Sequence, residues 1–161
     1  MKNIYCYDTK IGKISICELK GKITDIIFGE KTKLSDEYRI CETDIIKNCR
    51  NQLYEYFDKK RKTFNLPLNP KGTEFMLKVY NELLKIPYGK TKCYKDIALS
   101  INNPNASRAV GMANNKNPIP IIIPCHRVIG KDGKLVGYGG GLEIKKFLLE
   151  LEKENKWYII I

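Results

Sequence analysis

The stretch Thr91-Lys92-Cys93-Tyr94-Lys95-Asp96-Ile97-Ala98-Leu99, a turn at Asn103-Pro104-Asn105, and then Ala106-Ser107-Arg108-Ala109-Val110-Gly111-Met112-Ala113 decides what the second half of this chain folds into. Tyr94, Ile97 and Ala98 fall near one face of a short helix over 91–99. Pro104 or Asn105 suits the first turn of a second helix, where a missing N–H costs nothing. Two short helices across a tight polar turn read as a helix-turn-helix. The second helix is slim, because Ala106, Ala109 and Ala113 line it. Small side chains permit close approach to a nucleic-acid backbone or a narrow groove, and Arg108 among them could contact phosphate or enter the base stack. The same alanines could equally pack against a neighbouring helix.

Downstream, Pro118, Pro120 and Pro124 bracket Ile119 and Ile121-Ile122-Ile123. Proline cannot continue a helix, so this segment is expected to be extended and buried. It delivers Cys125-His126-Arg127. A thiol reacts as its thiolate, and a base or positive charge nearby makes that form accessible. Cys125 adjoins the only histidine of the chain. Neighbours on an extended segment point to opposite faces, so contact between the two requires a bend or a bridging water. A carboxylate would hold the histidine tautomer. Glu143, Glu150, Glu152 and Glu154 are the candidates, and pattern alone does not choose among them. Gly130-Lys131-Asp132-Gly133 reads as a turn and Gly137-Tyr138-Gly139-Gly140-Gly141 as a loop. A last helix is expected over 142–154, with Ile144, Phe147, Leu148 and Leu151 inward. The tail Trp157-Tyr158-Ile159-Ile160-Ile161 is apolar enough for an edge strand or a contact surface.

Upstream, Thr73 can cap a helix whose stripe is Phe75, Val79, Tyr80, Leu83 and Leu84. Pro67, Pro70 and Gly72 mark a linker, which places a domain boundary near residue 70: 1–70 and 71–161. Before it, Ile45, Ile46, Cys49, Leu53, Tyr56 and Phe57 recur at helical spacing within 41–59. Residues 4–7, 13–19 and 23–28 read as strands of an antiparallel meander, with turns at Gly12 and Lys20-Gly21-Lys22. The expected class is therefore α/β in the broad sense (α+β): a small N-terminal antiparallel sheet with a helix, then a mainly helical domain containing the helix-turn-helix.

Composition bounds the function. The 161 residues carry a net charge of +11, and within 86–141 eight basic residues face only Asp96 and Asp132. Such a balance attracts polyanions, although a lysine-rich solvated face would look the same. No apolar run is long enough for a membrane span, and the first residues show no signal-peptide core. A cytoplasmic location, or a nuclear one in a eukaryote, is the expectation. Six cysteines without a Cys-x-x-Cys pair imply reduced thiols. A single histidine excludes a multi-histidine metal site, and neither metal nor cofactor is expected.

Pro124-Cys125-His126-Arg127-Val128-Ile129-Gly130 resembles the active-site signature of the O6-alkylguanine-DNA alkyltransferase family, the methylated-DNA–protein-cysteine methyltransferases. The resemblance extends in order and spacing to 75–84, to Ile86-Pro87-Tyr88-Gly89-Lys90-Thr91, to Arg108-Ala109-Val110-Gly111-Met112-Ala113 with Asn117-Pro118, and to Gly137-Tyr138-Gly139-Gly140-Gly141-Leu142 with Lys146-Phe147-Leu148-Leu149-Glu150. It covers about residues 73–153.

The resemblance implies that a monomer binds duplex DNA in the minor groove. It also implies that O6-alkylguanine is flipped into a pocket, and that the alkyl group moves once and irreversibly to Cys125, with O4-alkylthymine as a further substrate. His126 would be the base, acting through a water, with Glu152 behind it. Tyr94 would protonate guanine N3. Asn117 would brace the active-site turn, and Arg108 would fill the space left by the base. Ala106, Ala109, Ala113, Asn103 and Thr91 would contact DNA. Val128, Tyr138, Gly139 and Met112 would line the base pocket, with the Cys125 and Val128 carbonyls accepting from the guanine amino group. Three positions depart from the family pattern. Position 80 is Tyr where Trp is common, position 93 is Cys where Ser is common, and Gly139 lacks a side chain that could narrow the pocket. A DNA-binding regulator and a cysteine hydrolase are the competing classes. The first would leave the thiol unchanged, and the second would need an oxyanion hole, for which this proline-rich approach gives no sign.

Overall fold

The computed structural model describes residues 1–31 and 33–158, with side chains to Lys153. Its chain divides into two compact units, Met1–Lys71 and Gly72–Ile161. The fold is mixed α and β: an antiparallel sheet dominates the first unit and helices the second.

In the first unit β1 (Lys2–Thr9), β2 (Gly12–Leu19) and β3 (Lys22–Phe28) form the expected meander. The β2–β3 connection is the two residues Lys20 and Gly21, both at positive φ (52° and 79°), the geometry that matches the twist of paired strands. A fourth strand, β4 (Tyr38–Ile40), pairs parallel to β1 and gives the order β3-β2-β1-β4. Sequence periodicity does not reveal β4, because three residues are too few to alternate. The helix α1 (Asp44–Phe57) is shorter at both ends than 41–59 and buries Ile46, Cys49, Leu53, Tyr56 and Phe57. Gln52 joins that face because its side chain donates to Asn65 O at 3.0 Å and accepts from Asn65 N at 2.9 Å. The linker is thereby tied to the helix.

In the second unit α2 (Glu74–Leu83) starts at Thr73, whose hydroxyl accepts from Met76 N at 3.2 Å. Val79, Tyr80 and Leu83 are its buried stripe. The next helix, α3, begins at Tyr94 and runs to Ser100, not from residue 91. Lys92–Cys93 is instead a short strand, β5, parallel to β6 (Val128–Ile129). Its partner lies 36 residues away, so no local pattern announces it. The following helix, α4, spans Ser107–Asn115 and starts later than Pro104 or Asn105. The α3 and α4 helices pack together and α2 packs on both, an arrangement consistent with the helix-turn-helix reading.

The segment 118–124 is not the extended run its prolines suggest. It doubles back, with Ile123 N donating to Ile119 O at 3.0 Å and Pro120 bridging to Ile123. Ile121 sits at φ +73° and is buried. A β-branched residue resists that conformation, so the surrounding core must impose it. A 3-10 turn over Cys125–Arg127 follows, and it supplies the bend that an extended segment lacks. The last helix, α5, spans Leu142–Tyr158 and runs past the expected end at 154. Leu148 and Leu151 are buried, whereas Ile144 and Phe147 are half-buried. The expectation for the apolar tail falls on Ile159-Ile160-Ile161 and on the Trp157 and Tyr158 side chains, which lie outside the described residues.

Candidate active site

Tight turns and α5 bring the chemical side chains of the second unit together. Cys125 and His126 sit in the 3-10 turn, and both are buried, with His126 at 0% exposure. From α5, Glu152 reaches His126: the imidazole Nε2 lies 2.6 Å from Glu152 Oε2. A carboxylate only accepts, so Nε2 carries the proton and Nδ1 keeps its lone pair. That Nδ1 is buried with no hydrogen-bond partner among the described residues. The ring is thus prepared as a base on the side away from Glu152.

Glu152 accepts from more than the histidine. Arg127 Nε donates to Oε1 at 2.9 Å and Arg127 Nη2 to Oε2 at 3.1 Å, and Gly89 N donates to Oε1 at 3.1 Å. Gly89 lies at φ +76° in the turn that follows α2, a conformation that suits glycine. Arg127 also donates to Ile86 O at 2.7 Å. The Ile86-Pro87-Tyr88-Gly89 stretch is therefore the loop that clamps the carboxylate. Burial disfavours the charged carboxylate, but the His126 hydrogen bond and charge, followed by Arg127, outweigh it and hold Glu152 at about 2. Burial lowers the His126 pKa, and Glu152 offsets this only in part. The pair at neutral pH is a neutral imidazole on a carboxylate.

Around the sulfur, burial pushes the Cys125 thiol up to about 11, opposed by the Asn117 amide, the Lys145 charge and the Tyr138 hydroxyl. Asn117 braces the doubled-back segment: its Nδ2 donates to Ile123 O at 2.8 Å and its Oδ1 accepts from Ile119 N at 3.0 Å. Tyr138 is buried, and burial followed by the nearby Cys125 raises its hydroxyl pKa. Tyr94 is half-buried at the start of α3. Its hydroxyl donates to Val136 O at 2.9 Å, and burial raises its pKa, so it holds its proton. The Cys125 carbonyl accepts from Asn114 Nδ2 at 3.2 Å and from Val128 N. Both its lone pairs therefore already have donors, which works against its expected role toward a guanine amino group.

The exposed face of α4 carries Arg108, Ala109 and Met112, the last at 62% exposure. Ala106 and Ala113 lie on its packed side, so of the three alanines Ala109 alone faces out. Asn103 and Thr91 are exposed, Val128 is buried, and Gly139 is exposed in the loop before α5. A Cβ at Gly139 would meet the backbone Asn115 O at 3.3 Å, tighter than an ordinary van der Waals contact. Tyr80 is buried and donates to Ala113 O at 3.2 Å, which accounts for a polar aromatic at that core position. Cys93 caps α3, its N–H and thiol both approaching Asp96 Oδ2.

Sequence reading missed Arg127, Asn114 and Lys145. All three are buried polar residues: Asn114 and Lys145 stand on the packed faces of α4 and α5, and Arg127 lies in the 3-10 turn, where no periodic pattern applies. Lys145 could have been flagged, since it stands three residues before the inward Leu148 of α5. Among the described residues no group of three His, Cys, Asp or Glu side chains could hold a metal, and no helix is long and apolar enough to cross a membrane.

Two family models match: the DNA-binding domain of 6-O-methylguanine DNA methyltransferase over residues 74–154, and its ribonuclease-like domain over 4–70. A methylated-DNA–protein-cysteine methyltransferase of Methanosarcina barkeri is 61% identical over 104 residues, 65% of this chain and 66% of that protein. The constitutive one of Bacillus subtilis is 44% identical over 154 residues, covering 91% of this chain and 92% of that protein. The crystal structure of Mycobacterium tuberculosis OGT in complex with DNA is similar at TM-score 0.89 and 40% identity, over 95% of this chain and 94% of that one.

Proposed function

The chain belongs to the 6-O-methylguanine DNA methyltransferase family and repairs DNA by transferring an alkyl group to its own cysteine; within that activity we propose that Cys125 is the acceptor and that His126, Glu152, Tyr94 and Asn117 serve it. The observation that carries this reading is the buried Cys125-His126-Glu152 arrangement, in which a neutral imidazole presents an unprotonated Nδ1 and a fully clamped carboxylate holds its other nitrogen.

The lesion is O6-alkylguanine in duplex DNA. Its alkyl carbon is unreachable inside the stack, so the base must turn out into the pocket. The exposed face of α4 enters the minor groove, with Arg108 taking the place of the extruded base and Ala109 allowing the close approach. Minor-groove readout is largely blind to sequence, as a damage scanner requires. The Cys125 proton passes through a water to His126 Nδ1, and sulfur displaces the guanine O6 from the alkyl carbon. One C–S bond forms and one C–O bond breaks. The departing base is a poor anion, and a proton from Tyr94 to N3 lets it leave neutral. The thiol proton makes good the one Tyr94 gives up, so charge balances. The S-alkyl thioether offers no route to hydrolysis, so each molecule reacts once. Val128, Tyr138 and Gly139 line the pocket. The protein works as a monomer in the compartment that holds the DNA, the cytoplasm where there is no nucleus.

The test is intact-protein mass after incubation with duplex DNA carrying O6-methylguanine: the mass rises by one methyl group and stops there. Turnover beyond one equivalent would defeat the single-use reading. Tyr94→Phe keeps the ring but removes the proton. It is expected to slow single-turnover transfer by about 10²-fold or more with DNA affinity retained, and an unchanged rate would remove Tyr94 from the chemistry. Arg108→Ala is expected to cut the transfer rate at sub-saturating DNA by about tenfold and to leave binding to undamaged duplex within about twofold. Equal losses in both assays would make Arg108 a mere phosphate contact.

A further inference from the structure

Asn114 is 3% exposed in the last turn of α4, and the transfer chemistry as set out above leaves it without a task. Its Nδ2 donates to Cys125 O at 3.2 Å. The 3-10 turn does not need this bond to close, because Val128 N already donates to the same carbonyl. Asn114 Oδ1 is buried with no hydrogen-bond partner among the described residues. A buried polar atom left unpaired is costly, and a leucine would fill the same space on the packed face of the helix without that cost. What leucine lacks is a donor for Cys125 O. On the other side of the residue, Cys125 N donates to Ile123 O at 2.8 Å, and Asn117 Nδ2 donates to that same oxygen at 2.8 Å. Two asparagines at the C-terminal end of α4 therefore hold the carbonyls on both sides of Cys125. The helix end is itself anchored, since Tyr80 of α2 donates to Ala113 O at 3.2 Å.

We infer that Asn114 is a positioning residue for alkyl transfer: its amide ties the Cys125 turn to α4, so that the helix laid against the DNA also sets where the sulfur stands. This rests on the reading of Cys125 as acceptor and of α4 as the DNA face. Arg108, Ala109 and Met112 occupy the exposed face of α4, and Asn114 its packed face. Asn114 follows Arg108 by about 9 Å along the helix axis. One rigid element thus carries both the group that takes the place of the extruded base and the group that holds the main chain of the acceptor. Displacement at an alkyl carbon needs sulfur, carbon and departing oxygen in line, and a shift of about 1 Å can cost about 10²-fold in rate. Asn114 moves no proton in the step and acts only through the Cys125 carbonyl.

Two variants separate placement from packing. Asn114→Leu keeps the volume and removes the donor. Asn114→Asp keeps the shape, and its carboxylate only accepts, whereas its protonated form donates again. Burial raises a carboxyl pKa, so that donor returns as pH falls. Single-turnover methyl transfer at saturating O6-methylguanine duplex is expected to be about tenfold slower or more in the Leu variant. Its affinity for that duplex should stay within about twofold, and its free Cys125 should react with iodoacetamide no more slowly than wild type. The Asp variant, compared with wild type at each pH, is expected to recover transfer from about pH 8 down to about pH 5. A Leu transfer rate equal to wild type overturns the proposal. So does a loss that more DNA restores, or one matched by an equal loss of iodoacetamide reactivity. If Leu does not fold, Asp alone decides, and an Asp-to-wild-type ratio that stays flat with pH overturns the proposal. A wild-type protein that reacts with iodoacetamide at Cys125 yet takes no methyl group there from DNA sinks the acceptor reading instead, so the two failures are distinct.

Discussion

Cys125→Ala is expected to abolish alkyl uptake completely: the mass of the variant stays unchanged after incubation with O6-methylguanine duplex, while wild type gains one methyl group. The size of the effect follows from the reaction type. Where a side chain assists a step, its removal leaves a slower reaction; where it is itself the reagent, its removal leaves no product to form. The five remaining thiols do not substitute. Burial pushes Cys17 and Cys49 up to about 12, and Cys93 is engaged with Asp96. None of them adjoins an imidazole, because His126 is the one histidine of the chain. Binding to duplex DNA is expected to survive in Cys125→Ala, because alanine only empties a small volume inside the turn. A methyl group found on any other cysteine of the variant would show that the transfer is not specific to this turn.

The second large effect is expected at Glu152. Glutamine has one acceptor oxygen where the carboxylate has two, and its amide N–H groups would point at the His126 and Arg127 donors that now point at it. Breaking a buried charge network by removing one partner costs about 3–5 kcal/mol. Glu152→Gln should therefore melt more than about 10 °C below wild type. It should also transfer about 10²-fold more slowly, because the imidazole loses the group that fixes its proton on Nε2. The pH dependence distinguishes the network from simple packing. The folded pKa of Glu152 is depressed to about 2 from 4.5. The stability it contributes is fully present above pH 4.5 and is lost as pH falls toward 2. Wild type should lose stability steeply through that window, and the Gln variant should lose distinctly less. Parallel acid-unfolding curves would contradict the assignment. His126, with its pKa lowered, stays an unprotonated base below its ordinary 6.5. Transfer should accordingly persist below that pH.

The elements readable in the sequence were those whose signal is local. The helix α2 with its Thr73 cap, the stripe of α1 and the meander of β1, β2 and β3 each repeat at a period that a short window contains. What escaped was set by distant partners. The strand β4 exists because β1 offers it an edge, and β5 because Val128–Ile129 comes alongside. Three prolines suggested extension over 118–124, yet the chain turns back there, because Asn117 holds both Ile119 N and Ile123 O. At the site, adjacency singled out Cys125 and His126. Resemblance, not pattern, singled out Glu152, since its neighbours in sequence are equally acidic. Asn114 and Lys145 stayed hidden because a polar residue in an apolar stripe reads as surface until its partners are known, and Arg127 because its 3-10 turn has no periodic pattern.

The burial of Cys125 also bears on how long the protein keeps before use. A reagent spent in one event is wasted by any electrophile or oxidant that reaches it first. With 3% of its surface exposed and its thiol near 11, Cys125 is overwhelmingly protonated at neutral pH and shielded from collision. Oxidation and adventitious alkylation both act on the thiolate, so burial of the sulfur slows both in the idle protein. The same seclusion that makes the sulfur sluggish in isolation thus preserves the cell's stock of single doses until a lesion arrives.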